Sequence, residues 1–161
     1  MKQHEKKAAR QRANKTNLAQ GILLSYRVNR LSPNPVRTVP QTYKLAKKLW
    51  SNELKDLQEQ VMVLYLDTDN YLIGYRLLNT GTMGACLVDV KLMISIALQL
   101  MACGVILIHN HPIDHAQPSP EDVNLTFRVQ AALLLVETVL VDHLILSKTG
   151  YYSFKEKGNL W

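Results

Sequence analysis

The sequence predicts an α/β domain in which a mixed β-sheet carries helices on both faces. Apolar segments of strand length alternate with longer segments of helical period along most of the chain, an order typical of this class. Two strands separated by a tight turn add antiparallel pairing. With 161 residues and 47% hydrophobic content, the chain forms one domain that buries about 70% of its unfolded surface.

Each predicted element follows from a local pattern. The strands are predicted, in chain order, at residues 22–28, 61–67, 71–78, 85–88, 105–108, 139–146 and 151–154. The helices are predicted at residues 42–55, 91–102 and 120–136. In the first helix the apolar residues Tyr43, Ala46, Leu49 and Trp50 share one face. Thr68-Asp69-Asn70 suits the turn of a hairpin, and Lys148-Thr149-Gly150 suits a second turn near the end.

Composition predicts a cytoplasmic protein. Cys86 and Cys103 form no spacing motif, so neither is expected to bind zinc, and Cys103 is expected to be a buried small side chain in an apolar stretch. No stretch approaches 18 uncharged apolar residues, and the apolar part of the N-terminus is too short for a signal sequence. We therefore expect a reducing compartment and no membrane association.

Positive charge is concentrated at the N-terminus. Residues 1–16 hold six lysines and arginines against Glu5, a net charge of +5 out of the chain's +6. This polar segment lacks apolar periodicity, which predicts a disordered tail over residues 1–20 and a nearly neutral domain over residues 21–161. A solvated tail and an arm that contacts nucleic acid are both consistent with this pattern.

The triplet His109-Asn110-His111 carries the strongest chemical signal. It directly follows the apolar strand 105–108, so both imidazoles are expected on one face, and Pro112 ends the strand. Ser119 is then predicted to cap a helix in whose first turn Asp122 lies, at the sheet edge where sites are usually built. Two imidazoles and one carboxylate form the ligand set of a catalytic zinc.

Each half of this pattern also has an ordinary structural explanation. Ser119 and Asp122 are spaced as in a common helix N-terminus, with a hydroxyl cap and an acid on the helix dipole. His109 and His111 can simply be two exposed polar residues at the end of a strand. The combination of both halves favours the metal site.

The pattern H-x-H-x7-S-x2-D from His109 to Asp122 resembles the JAMM signature of the JAB/MPN metalloenzymes, which have a cytidine-deaminase-like architecture. The similarity extends over residues 22–161 and is closest to RadC-like proteins in a short form without the helix-hairpin-helix region. It includes Ala97-Leu98, His109-Asn110-His111-Pro112, Leu125-Thr126, Asp142-His143-Leu144-Ile145 and Tyr151-Tyr152-Ser153-Phe154.

The resemblance implies a zinc-dependent hydrolase that cleaves a peptide or isopeptide bond in a peptide or protein substrate. It implies Zn²⁺ held by His109, His111 and Asp122, a bound water as nucleophile, and a glutamate that carries its proton. Glu59 matches the position of that glutamate, before the strand that follows the first helix; Glu53 and Glu121 are its competitors. Ser119 can either cap the helix or donate to the oxyanion of the tetrahedral intermediate.

The chain departs from the RadC-like pattern at two places. Ile113-Asp114-His115 replaces the usual Ser-Gly after His-Asn-His-Pro, where Asp114 and His115 are either extra ligands or a polar loop. Val90-Lys91 replaces Pro-Arg after Asp89, so a bidentate contact there is lost. Both changes concern substrate preference more than metal binding. His143, in an apolar strand, is expected to be a hydrogen-bonded core histidine.

Two functions of other classes remain open at this stage. The family's DNA-repair label suggests an accessory protein that binds nucleic acid, with a structural metal or none. A nuclease of the HNH type is the other, but its name abbreviates residues spread over a ββα unit, and the spacing to Asp122 favours JAMM.

Overall fold

The structure, a computed structural model, describes residues 29–50, 58–80, 88–112 and 116–160, together with two short strands before them. These strands, β1 (Leu18–Ala19) and β2 (Ile22–Leu23), pair antiparallel in a sheet of their own. Residues 24–28 of the predicted first strand, and residues 1–17 of the predicted tail, lie outside the described residues.

The main sheet has five strands in the order β4-β3-β5-β6-β7. Their bounds are β3 Gln60–Leu66, β4 Leu72–Thr80, β5 Gly104–Asn110, β6 Val139–Leu146 and β7 Tyr151–Ser153. β5 and β6 are parallel, whereas every other neighbouring pair is antiparallel. The predicted mixed sheet is confirmed, and so is its hairpin, whose turn contains Asn70 in the left-handed conformation (φ 68°).

Helices cover both faces of this sheet, as predicted. α1 (Val39–Leu49) packs through Ala46 on one face, against even-numbered residues of β3 and β5 such as Leu64 and Ile106. α2 (Val90–Leu100) and α3 (Pro120–Leu134) pack on the opposite face, against the odd-numbered residues of the same strands. The alternation of side chains across a strand therefore assigns each residue of β5 to one helical layer.

α1 begins earlier than the sequence pattern predicted. Thr38 caps the helix, its side chain accepts from the Gln41 backbone N–H, and the Gln41 side chain accepts from the Thr38 backbone N–H. This capping box starts the helix at Val39 rather than at residue 42. The predicted extension beyond residue 50 lies outside the described residues.

The expectation that Cys103 is buried is wrong. Its thiol is free and its side chain is exposed. The backbone explains this: the Cys103 N–H donates to the Leu66 carbonyl and the Cys103 carbonyl accepts from the Val139 N–H, each within 3.0 Å. The main chain is held between β3 and β6, the two strands that flank β5, and the side chain faces solvent.

The predictions for Cys86 and for a short strand at residues 85–88 fall mostly outside the described residues. Cys86 and residues 85–87 of the predicted short strand are not described, and Val88 lies outside any strand. No helix in the described parts of the chain has both the length and the apolar character needed to cross a membrane.

Candidate metal centre

β5 delivers two imidazoles to one side of the sheet. His109 is its penultimate residue and only 3% exposed, while His111 follows the strand by one residue and is partly buried. Since both residues are odd-numbered, their side chains lie on the face covered by α2 and α3. Their Nε2 atoms are 2.8 Å apart.

The start of α3 brings a carboxylate to the same place. Ser119 caps the helix: its Oγ accepts from the Asp122 N–H at 3.1 Å, and the Asp122 Oδ2 accepts from the Ser119 N–H and from the Ser119 Oγ, each at 2.7 Å. The capping box thus fixes the orientation of the carboxylate. Asp122 Oδ1 lies 3.2 Å from His109 Nε2, and Asp122 Oδ2 lies 3.5 Å from His111 Nε2.

These three residues could hold one metal ion. In the described part of the chain they form a cluster of metal-binding side chains. The ligand atoms of the three residues all lie within 4.8 Å of one another. Two ligand atoms that share a zinc ion at about 2.0–2.2 Å must lie within roughly 4.4 Å of each other. The distance between the Nε2 atoms of His109 and His111 satisfies this limit. The distances from these two nitrogens to the carboxylate oxygens of Asp122 satisfy it too.

The ionisation of these groups also suits a metal. Burial lowers the pKa of His109 to about 4, against the opposing charge of Asp122, so this ring is neutral at neutral pH. Burial opposes ionisation of Asp122, but hydrogen bonding with His111, the electrostatic interaction with His109 and the Ser119 hydrogen bonds outweigh it and lower the pKa of Asp122. A neutral imidazole and a carboxylate anion are the protonation states that bind metal.

Glu59 lies beside this cluster. β3 and β5 pair antiparallel with Val61 opposite His109, so the same register extended by two residues places Glu59 opposite His111. Glu59 is partly buried; burial raises its pKa, and His111 and Asp122 exert opposite effects on it. Of its two competitors, Glu121 is exposed and Glu53 lies outside the described residues.

Asn110 points to the opposite face and holds the chain on both sides of Glu59. Its Oδ1 accepts from the Gln60 backbone N–H at 2.7 Å, and its Nδ2 donates to the Gln58 carbonyl at 2.9 Å. The Gln60 side chain accepts in turn from the Trp50 indole N–H. The middle residue of the triplet thereby fixes the backbone that carries Glu59 next to the ligands.

His143 is a hydrogen-bonded core histidine, as predicted, but its partners were not foreseen. It is fully buried in β6, with its Nε2 2.9 Å from His109 Nδ1 and its Nδ1 2.7 Å from the Thr126 Oγ. Burial also lowers its pKa far below the ordinary value. No sequence signal reveals these contacts, because they depend on how β6 pairs with β5.

The structure describes one of the two segments that depart from the RadC-like pattern. Asp114 and His115 lie outside the described residues. Val90 is the first residue of α2, directly after the capping residue Asp89, and Lys91 is exposed.

A mixed sheet with a His-His-Asp group between a strand end and a helix start defines an α/β domain with a candidate metal centre. Residues 37–159 match the RadC-like JAB domain. The chain therefore belongs to the RadC-like JAB/MPN family.

Three curated relatives similar to this chain are each named UPF0758 protein. The chain is 31% identical to one from Streptococcus sanguinis over 140 residues, covering 86% of this chain and 61% of the relative. A relative from Streptococcus gordonii is 31% identical over 86% of this chain and 62% of its own length. One from Acinetobacter baylyi is 37% identical over 66% of this chain and 40% of its own length. The chain spans about three fifths of the two streptococcal relatives.

Proposed function

We propose that this chain is a zinc-dependent metallohydrolase that cleaves a peptide or isopeptide bond. The observation that carries the proposal is the convergence of His109, His111 and Asp122, with their ligand atoms and ionisation states suited to one ion. Two nitrogens and one carboxylate leave a fourth position for water, the arrangement of catalytic rather than structural zinc sites. Membership of the RadC-like JAB/MPN family supports the same activity.

The residues around the ion have separate tasks in this proposal. A zinc ion held by His109, His111 and Asp122 would supply a nucleophile at neutral pH, because zinc lowers the pKa of a coordinated water from about 15.7 to near 7. Glu59 would accept a proton from the attacking water and return it to the leaving amine. The raised pKa of Glu59 supports this role, because a carboxylate of higher pKa is a stronger base.

Ser119 is the proposed donor to the oxyanion. Its hydroxyl hydrogen is directed at Asp122 Oδ2 in the structure, 2.7 Å away, while its oxygen caps α3. Donation to an oxyanion requires the hydroxyl to rotate away from the carboxylate. Such a donor typically contributes about 3 kcal/mol to transition-state stabilisation.

Metal content tests the proposed centre. Protein purified without chelator from zinc-supplemented medium is expected to contain one zinc per chain by elemental analysis. Asp122→Asn and His109→Ala should lose it, since each removes one of three protein ligands. Glu121→Gln is the matched control, because Glu121 lies in the same helical turn but is exposed. Absence of any divalent metal from the wild type would refute the metalloenzyme.

Turnover tests the proposed reaction separately. We expect zinc-loaded wild type to cleave members of a library of synthetic peptides and lysine-linked isopeptides, scored by mass spectrometry. Glu59→Gln should keep its zinc and lose cleavage, because it removes the base and leaves the ligands intact. Stoichiometric zinc without cleavage of any library member would favour a non-catalytic metal site.

A further inference from the structure

We propose that Thr126 and His143 are positioning residues that fix the tautomer of His109, so that His109 Nε2 carries the lone pair offered to the metal. The inference rests on the proposed metal centre and adds two residues to it. A metal-bound histidine needs its other ring nitrogen protonated and hydrogen-bonded, and that partner determines which nitrogen is free to bind.

The direction of the first hydrogen bond is set by the helix backbone. The Thr126 hydroxyl has a single hydrogen and two close neighbours, the Asp122 carbonyl oxygen at 2.6 Å and His143 Nδ1 at 2.7 Å. The carbonyl oxygen can only accept. The hydroxyl hydrogen must therefore point to Asp122, because two oxygens at this distance repel each other without a hydrogen between them. The Thr126 oxygen is left to accept from His143 Nδ1–H.

The second step follows from the neutrality of His143. This ring is fully buried, and its two nitrogens face a hydroxyl and another imidazole rather than an acid, so burial keeps it uncharged. With Nδ1 protonated, its Nε2 has no hydrogen and can only accept. Its neighbour at 2.9 Å is His109 Nδ1, which must then be the donor. A neutral His109 with a hydrogen on Nδ1 has a bare Nε2, the atom that faces His111 and Asp122.

The ring of His143 is held so that its two nitrogens keep their places. It stacks on Phe154 with a centroid separation of 4.8 Å and an interplanar angle of 6°. Its backbone N–H donates to Asp142 Oδ1, and Asp142 accepts in addition from the Ser153 hydroxyl and the Lys155 backbone N–H. A flipped ring would present carbon atoms to Thr126 and His109 and lose both hydrogen bonds, so the observed orientation is favoured.

Thr126 offers a matched pair of substitutions. Thr126→Val keeps the shape but removes the acceptor for His143 Nδ1–H. His143 is then free to place its hydrogen on Nε2, directed at His109 Nδ1, which drives the His109 hydrogen onto Nε2, where it competes with the metal. Thr126→Ser keeps the hydroxyl and loses only a methyl group.

Zinc affinity of the metal-free protein is the first readout, measured by competition with a chromophoric chelator. Wild type and Thr126→Ser are expected to agree within about threefold, whereas Thr126→Val should bind zinc about 10- to 100-fold more weakly, the usual effect of losing such a partner. The melting temperature in excess chelator is measured alongside. A purely packing role predicts that zinc affinity follows stability, whereas the proposed role predicts that it follows the hydroxyl.

Nitrogen-15 NMR of the imidazoles in metal-free protein is the second readout. It should find His109 protonated on Nδ1 in the wild type and in Thr126→Ser, and on Nε2 in Thr126→Val. Equal zinc affinity of the Val and Ser variants, or Nε2-protonated His109 in the wild type, would overturn the inference. If the wild type binds no zinc, the metal centre fails, but the NMR experiment still decides the hydrogen-bond relay.

Discussion

At the scale of single residues, Asp122 uses its two carboxylate oxygens differently. Oδ2 accepts from the backbone and side chain of Ser119, while Oδ1 is directed towards His109. The capping interactions involve only groups of this chain, so they orient the carboxylate independently of any ion. Less conformational entropy is then lost on binding, and this preorganisation raises affinity.

Asn110 provides a residue-scale prediction. Asn110→Leu should lower the free energy of unfolding by about 1–3 kcal/mol, because it leaves the buried Gln60 N–H without its acceptor and the Gln58 carbonyl without its donor. Urea denaturation of metal-free protein measures the change. Asn124→Leu is the control, since Asn124 is exposed on α3. Equal effects of both substitutions would show that the Asn110 hydrogen bonds contribute little.

The sequence predicted the residues whose chemistry is local and missed those that depend on strand pairing. His109, His111 and Asp122 could be placed together because a two-residue period and a helix cap bring them to one sheet edge. Glu59 was selected only through the family resemblance. The partners of Asn110 and His143 follow from the registers of β5 with β3 and β6, which no local pattern reveals.

At the scale of elements, the N-terminus of α3 makes the role of Ser119 testable. Ser119→Ala should cost about 1 kcal/mol of stability through loss of the cap. If the hydroxyl also serves the oxyanion, as proposed, kcat should fall on the order of 10²-fold with unchanged zinc content. Denaturation and turnover of the same samples measure both. Ser119→Thr keeps a hydroxyl and is the control. A stability loss with full kcat would restrict Ser119 to capping.

Element types were predicted more reliably than element boundaries. The strands of the main sheet and the turn at residues 68–70 follow from alternation and turn residues, and all of them are present. The start of α1 was predicted too late because the prediction followed the apolar face that begins at Tyr43, whereas the capping box of Thr38 and Gln41 starts the helix at Val39. Cys103 was misjudged because apolar neighbours say little about the direction of a side chain in a turn.

At the scale of the whole molecule, the buried histidines make stability depend on pH. The pKa of His109 is lowered to about 4 and that of His143 is lowered well below its ordinary value, so the unfolded chain binds protons at pH values where the folded chain does not. Stability of metal-free protein should therefore fall as the pH falls below about 6.5, by about 1.4 kcal/mol per pH unit per histidine at most.

Urea titrations in chelator between pH 7 and pH 5.5 measure this dependence. The window stays above the ordinary carboxyl range because the raised pKa values of Glu59 and Asp142, caused mainly by burial, change stability with pH in the opposite direction. His109→Gln removes one of the two titrating rings and should reduce the slope. A wild type equally stable at both ends of the window would contradict the burial of neutral rings.

The charge distribution gives a second prediction for the whole chain. Any affinity for nucleic acid should reside in residues 1–16, since six cationic side chains there account for nearly all of the net charge. Binding to duplex DNA should show a log–log salt slope of up to about −5 and disappear on deletion of these residues, with zinc content unchanged. Salt-titrated binding of both forms measures it. Undiminished binding by the truncated form would assign nucleic-acid recognition to the folded surface.

The alternation of His109, Asn110 and His111 between the two faces of β5 also protects the sheet against a misaligned pairing. If β5 slipped by one residue along β3, both imidazoles would enter the apolar layer under α1 and the amide of Asn110 would move to the opposite face. The amide would lose its partners at Gln58 and Gln60, at a cost of about 1–3 kcal/mol for each buried polar group left unpaired. The triplet thus favours the observed register of β5 with β3 over a register shifted by one residue.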